Sequence, residues 1–364
     1  MQSLPPLKIG QHQVPNPIIQ GGMGIRISGA NLASAVANAG GIGIISAVGL
    51  GLDSPYYDRR RGNLLEANQN ALIDELQKAR ANSPNGIIGV NILVAARDYP
   101  DLARTAAHHG ANIIIAGAGL PLQLPQYTAD CPEVALVPIV SGVRAAQILC
   151  RKWQRNYGRL PDGFIVESPK TAGGHLGAKY EELDSDAFDI EQVIPALVTY
   201  LRETLQTEIP VIAAGGIWDR QDIDRALAQG ASGVQLGTRF ITTEECDVDP
   251  RYKQFHLQAK PEDVVIVPSP VGLPGRALRN AFAEAAIAGS DTLDKRCLAN
   301  CLKTCACREH KQTYCILQAL DQAARGDVDN GLVFAGANAG RAQAIVPVAE
   351  VMAELVGASG RQVC

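Results

Sequence analysis

The stretch Ile209-Pro-Val-Ile-Ala-Ala-Gly-Gly-Ile217 decides the fold. A short apolar, β-branched run ends in two glycines, and a polar, helix-forming stretch from Asp219 to Gln229 follows. A second apolar run, Gly233-Val-Gln-Leu-Gly237, comes directly after it. Strand, helix and strand at this spacing make one βα unit of a parallel sheet. Continuous apolar runs, rather than alternating ones, indicate strands covered on both sides.

The same rhythm recurs upstream. Strands are predicted at 17–20, 41–46, 87–93, 111–116, 134–140 and 163–166. Helices are predicted at 31–38, 63–80, 99–109, 144–157 and 190–205, with Pro195 as a kink. Asn63, with Glu66 three residues on, has the pattern of a capping box. Eight strands in series favour a closed (β/α)8 TIM barrel of the α/β class over residues 1–245. An open doubly wound sheet would call for fewer strands or a dinucleotide fingerprint. Beyond residue 245 the rhythm breaks. Residues 246–364 are expected to pack on the barrel as a lid, a helical, cysteine-containing extension and a closing helix near 346–355.

The 364 residues are 46% hydrophobic and 19% charged, with 36 glycines, as suits a globular chain with a large core and many tight turns. A net charge of -4 gives no reason to expect nucleic acid or an acidic membrane as partner. The N-terminus lacks a secretory pattern and no apolar run is long enough to span a bilayer. The expectation is a cytoplasmic protein whose partners are a small-molecule substrate and, at most, further copies of the chain as a homo-oligomer.

Barrel sites form at the C-terminal strand ends, and phosphate commonly binds after strands seven and eight. There stand Gly215-Gly216 and Gln235-Leu-Gly237-Thr238, whose main-chain N–H groups can approach an anion, with the dipole of the helix starting near Asp219 in support. The competing reading is that these glycines only make turns. Strand six leads into Thr171-Ala-Gly-Gly-His175-Leu-Gly177, a histidine set among glycines at the mouth. An imidazole there can accept a proton from a carbon acid or donate to a developing oxyanion. His108 and His109 end a helix, where a cation suits the dipole. Arg59-Arg-Arg61 lies on a βα loop, either simply solvated or facing a cofactor phosphate or an acyl-carrier protein.

Pro17-Ile-Ile-Gln-Gly-Gly-Met-Gly24, Gly89-Val-Asn-Ile92, Ala172-Gly-Gly-His-Leu-Gly177, Ala213-Ala-Gly-Gly-Ile217 and Gln235-Leu-Gly-Thr-Arg-Phe240 resemble, in order, motifs of the nitronate monooxygenase family. That family also holds the FMN-dependent enoyl-acyl-carrier-protein reductases. Ser269–Arg276 and Phe334–Gly336 are similar to its tail segments. The resemblance implies a TIM barrel, non-covalent FMN and redox chemistry at the flavin. It places Gly21, Gly22 and Met23 against the ring, with Asn91 and Gln235 close by. It sets Gly173 and Gly174 beside the flavin, Gly215, Gly216, Gly237 and Thr238 on its phosphate, and His175 as the catalytic residue. Thr171 and Leu176 depart from it, standing where many relatives have an acidic and a basic residue. Glu167 and Lys170 are nearby charges of open direction.

Five of nine cysteines fall between Cys297 and Cys315. If helical, Cys297, Cys301 and Cys305 share one face, and Cys315 closes a four-thiolate set for Zn(II) or an iron-sulfur cluster, leaving Cys307 spare. Buried reduced thiols are the competing reading.

The function expected is an FMN-dependent oxidoreductase of nitronate monooxygenase type, oxidising alkyl or propionate nitronates with O2. The alternatives are an NAD(P)H-dependent flavin or enoyl-thioester reductase and a non-catalytic, phosphate-binding scaffold barrel.

Overall fold

The computed structural model describes residues 3–357. Eight parallel strands close on themselves: β1 (Ile18–Gln20), β2 (Ile42–Ser46), β3 (Ile87–Leu93), β4 (Ile113–Gly117), β5 (Ala135–Val140), β6 (Phe164–Glu167), β7 (Val211–Ala214) and β8 (Gly233–Leu236), with β8 pairing back to β1. Side chains alternate across each strand. One set, including Ile19, Ile44, Ile115, Val137, Ile165 and Ile212, fills the barrel interior. The other, including Ile18, Val90, Ile114, Phe164, Val211 and Val234, meets the surrounding helices in a larger outer core. Burial on both faces is why these strands read as unbroken apolar runs.

The inward register continues to the C-terminal ends. Glu167 pairs with Ala214, Ala214 with Gln235, and Ser46 with Asn91. Each stands two residues beyond an interior position, or opposite one that does. The top interior layer is therefore polar, carrying Glu167, Gln235, Ser46 and Asn91 above an apolar barrel.

The helices lie at Ala30–Asn38, Leu64–Asn82, Tyr99–His108, Val143–Tyr157, Ile190–Thr199 and Arg220–Ala228. Two details differ from expectation. The Asn63 side chain does not cap its helix, because its Oδ1 accepts from the Asp58 amide and its Nδ2 donates to the Tyr56 carbonyl. The segment expected to be one helix to residue 205 leaves α geometry at Tyr200 and ends in a π turn, Tyr200–Thr204.

Two features went unassigned in the sequence. A hairpin, Leu7–Ile9 with His12–Val14, places Leu7, Ile9 and Val14 in the interior cluster and so closes the N-terminal end of the barrel. At the other end a small antiparallel sheet joins Gly174–His175, Gly275–Leu278 and Val264–Val267. The helix Val348–Val356 returns to the outer core through Val348, Val351, Met352 and Leu355. No helix among the described residues is long and apolar enough to cross a membrane.

Candidate active site

The chain leaving β1 crosses the barrel mouth. A Cβ added at Gly22 would lie 2.3 Å from Asn91 Cβ, so only glycine lets this backbone pass over the end of β3. Gly21 lies against the Gln235 side chain, and Met23 Sδ against Gly237. Gln20 fixes this crossing: its Oε1 accepts from the Ile44 amide at 3.0 Å and its Nε2 donates to Ser28 Oγ at 2.8 Å. Ser28 Oγ in turn accepts from the Met23 amide. Sequence reasoning did not single out Gln20; its signal is a lone amide in an apolar strand with 0% exposure.

After β7, Gly215 (φ +92°) and Gly216 (φ +76°) occupy the left-handed region, which a side chain would strain. Thr171 packs on both, and the Gly216 carbonyl accepts from Asn338 Nδ2 at 2.8 Å. Thr238 Oγ1 accepts from the Gly336 amide at 2.8 Å, while Gly336 and Ala335 abut Gly173. The helix after β7 differs from expectation as an anion site. Asp219 Oδ1 already accepts from the Gln221 and Asp222 amides, and Asp222 Oδ2 from the Trp218 amide. Two carboxylates of the chain's own thus occupy the first-turn amides, so these are not free for a bound anion.

His175 sits in the covering sheet, opposite Gly275. Its Nε2 lies 2.8 Å from Ser269 Oγ, and its ring meets Phe334 edge-on at 5.1 Å between centroids. Burial lowers its pKa to about 4, so the imidazole is neutral at physiological pH. Arg276 ties this loop down, donating to the Ala172, Pro169 and Lys170 carbonyls. It is 7% exposed, so Arg276→Met, which removes three charged hydrogen bonds, is expected to cost about 2–3 kcal/mol in urea unfolding. Lys170 points to Asp189 at 2.6 Å and Asp186 at 3.5 Å. Leu176 is fully buried in a small cluster with Ala172, Ala178 and Leu183, which leaves no room for the basic residue of the family pattern.

Two buried polar atoms at this mouth, Gln235 Oε1 and Thr171 Oγ1, have no hydrogen-bond partner. Burial also raises Glu167 to about 7, half ionised at neutral pH. Unpartnered polar atoms, a neutral imidazole and glycine backbone around one mouth fit a polar, ring-containing group carrying an anion.

The remaining candidates lie elsewhere. Arg59, Arg60 and Arg61 are exposed on the loop after β2, with Arg61 3.5 Å from Asp58. His108 pairs with Asp130 at 3.0 Å, with Cys131 Sγ 3.8 Å from its other nitrogen, at the end of the barrel away from the mouth. The cysteine segment is not helical before Ala306–His310. Asn300 takes a left-handed conformation (φ +49°) and breaks the expected shared face of Cys297, Cys301 and Cys305. Cys297 and Cys301 are half-buried, and Cys305 and Cys315 buried. Among the described residues, no three of these sulfurs lie within 4.8 Å of one another. Cys364 lies outside the described residues.

A closed (β/α)8 barrel with a glycine-lined mouth and a part-buried histidine defines a TIM-barrel protein with its site at the C-terminal strand ends. The family model described as nitronate monooxygenase matches residues 6–358, and the chain belongs to that family of flavin enzymes. It is 29% identical over 277 residues to a Mycobacterium tuberculosis 5-hydroxy-7a-methyl-1-oxo-octahydro-1H-indene-4-carboxyl-CoA dehydrogenase; the match covers 76% of this chain and 67% of that one. The structure resembles FabK from Thermotoga maritima (TM-score 0.71, 25% identity, 94% of this chain and 92% of that one). It also shares its fold with a nitroalkane oxidase from Streptomyces ansochromogenes (TM-score 0.70, 20% identity, 95% and 97%). Membership of an enzyme family sets the scaffold reading aside.

Proposed function

We propose that this chain uses FMN to oxidise alkyl or propionate nitronates with O2. The observation that carries the reading is His175, neutral, part-buried and anchored to Ser269, beside the glycine-lined mouth. Bound FMN would supply the electron acceptor. Gly21, Gly22, Met23, Asn91 and Gln235 would face its ring, Gly173 and Gly174 its flank, and Gly215, Gly216, Gly237 and Thr238 its phosphate. The orphan Gln235 Oε1 and Thr171 Oγ1 support this placement, since a bound polar group would give each a partner.

His175 would orient the nitronate, or take a proton from the parent carbon acid at Nδ1, since Nε2 is engaged by Ser269. Glu167 offers a second proton-holding site in the top interior layer. Its carboxyl ionises with rising pH, so activity that needs the carboxylate rises through about pH 7. Glu167→Gln is expected to remove that limb of the pH–kcat profile, whereas an unchanged limb would assign it to another group.

A second reading, an NAD(P)H-dependent flavin or enoyl-thioester reductase, is favoured by a cleft of about 380 Å³ on the outer side of the barrel, against the last turns of the helix Val143–Tyr157. Its lining includes Lys152, Lys303, Tyr99 and Asn156, a set suited to the phosphates of a nicotinamide cofactor or a CoA thioester. Anaerobic mixing separates the two. Bleaching of the flavin by propionate nitronate but not by NADH or NADPH supports the first reading, and the reverse supports the second. We further propose that residues 1–245 form the catalytic barrel and the segment from 246 onward its cover.

A further inference from the structure

We propose that Cys297, Cys301, Cys305 and Cys315 bind a [4Fe–4S] cluster at the edge of the barrel mouth. All four are free thiols, drawn together by a segment with little secondary structure of its own. Main-chain bonds fasten that segment to both walls of the mouth. Cys301 O accepts from the Arg97 amide at 2.9 Å and the Lys303 amide donates to Ala95 O at 2.9 Å, both on the loop after β3. The Ala306 amide donates to Pro270 O at 3.0 Å, one residue from the serine that holds His175. Arg308 fixes the turn between, donating to the Leu302 and Lys303 carbonyls at 2.7 and 2.9 Å.

The four cysteines share one packed cluster, Cys305 and Cys315 buried in it and Cys297 and Cys301 packed against it. The fifth cysteine, Cys307, lies in the same cluster, but its Sγ is already engaged, donating to Lys295 O at 3.4 Å. Cys297 Sγ accepts from the Asn300 amide at 3.3 Å, inside a turn that needs the left-handed Asn300. An amide aimed at sulfur stabilises a thiolate, the form that binds metal.

Spacing selects the cluster over a single ion. A tetrahedral zinc with bonds of about 2.3 Å would hold its sulfurs about 3.8 Å apart. These sulfurs do not converge so closely. A cube of iron and sulfide, bound through one thiolate per iron, sets its ligands farther apart. Each thiol releases its proton to solvent as iron binds.

The test is metal analysis of the full chain purified anaerobically, before and after incubation with sulfide and equal amounts of ferrous and ferric iron. Expected are about four irons and four acid-labile sulfides per chain, with an EPR signal after dithionite reduction. Cys301→Ala and Cys315→Ala should lose the iron while keeping their flavin, whereas Cys307→Ala and Cys131→Ala keep both. One zinc per chain without iron, or wild-type protein that takes up no iron, overturns the proposal. So does iron lost from Cys307→Ala as fully as from Cys301→Ala. Should the ligand variants fail to fold, the wild-type iron and sulfide content decides alone.

Discussion

His175→Ala is expected to lower kcat about 10²–10⁴-fold with any substrate whose reaction needs a proton moved, the usual worth of a positioned acid or base. The loss should appear with flavin content near wild type, because the ring rests on Ser269 and Phe334 and no other element depends on it. The strand carrying it stays pinned by Arg276, whose three bonds go to backbone carbonyls rather than to the imidazole. Burial keeps the ring uncharged down to about pH 4, so its ionisation leaves no mark near neutrality. Steady-state kinetics on flavin-replete protein checks this. Turnover within a few-fold of wild type would remove His175 from the reaction.

Gly237→Val should abolish most FMN binding while sparing the fold. A Cβ at Gly237 would meet only the Met23 side chain, Sδ at 3.4 Å and Cγ at 3.6 Å, ordinary contacts, and φ there is -109°, open to any residue. The protein itself therefore gives little reason for instability. If the Gly237–Thr238 backbone receives the phosphate, the valine side chain enters the space the anion needs. Losing a charged hydrogen bond or two would weaken binding by about 10–100-fold. Fluorescence titration of apoprotein with FMN reads the change, and thermal unfolding of the same apoprotein serves as control. Normal affinity in a folded variant would move the phosphate elsewhere. Gly216→Val makes the contrast, since its φ of +76° predicts loss of both stability and cofactor.

Much of this arrangement was legible in the sequence because burial on both faces writes apolar runs. β3 was expected at 87–93 and lies at Ile87–Leu93, and the other strands fall within two residues at each end. The glycine motifs were legible for a related reason: where backbone must pass close to other groups, as Gly22 does over Asn91, few residues fit. The parts that were missed depend on partners distant in the chain. Leu7–Ile9 and His12–Val14 are short and half polar, and their apolar positions gain meaning only inside the barrel. The covering strand Gly275–Leu278 follows a proline- and glycine-rich stretch that reads as loop, and pairs with residues a hundred positions earlier. The sequence predicts that the helix starting near Asp219 lends its dipole to an anion, yet the Asp219 carboxylate itself takes the first-turn amides. The regular cysteine spacing suggested a helical face, but a left-handed Asn300 and side chains bonded to their own backbone prevail there. Glu167 could be named from sequence but not aimed, since direction at a strand end depends on register with Ala214 and Gln235.

The most direct test of the central claim is the ultraviolet-visible spectrum of the purified full chain, followed by identification of what heat denaturation releases. The account predicts flavin bands, about one FMN released per chain, and anaerobic bleaching by a substrate that His175→Ala leaves bound but slow to react. A colourless protein that takes up no FMN on reconstitution would contradict it.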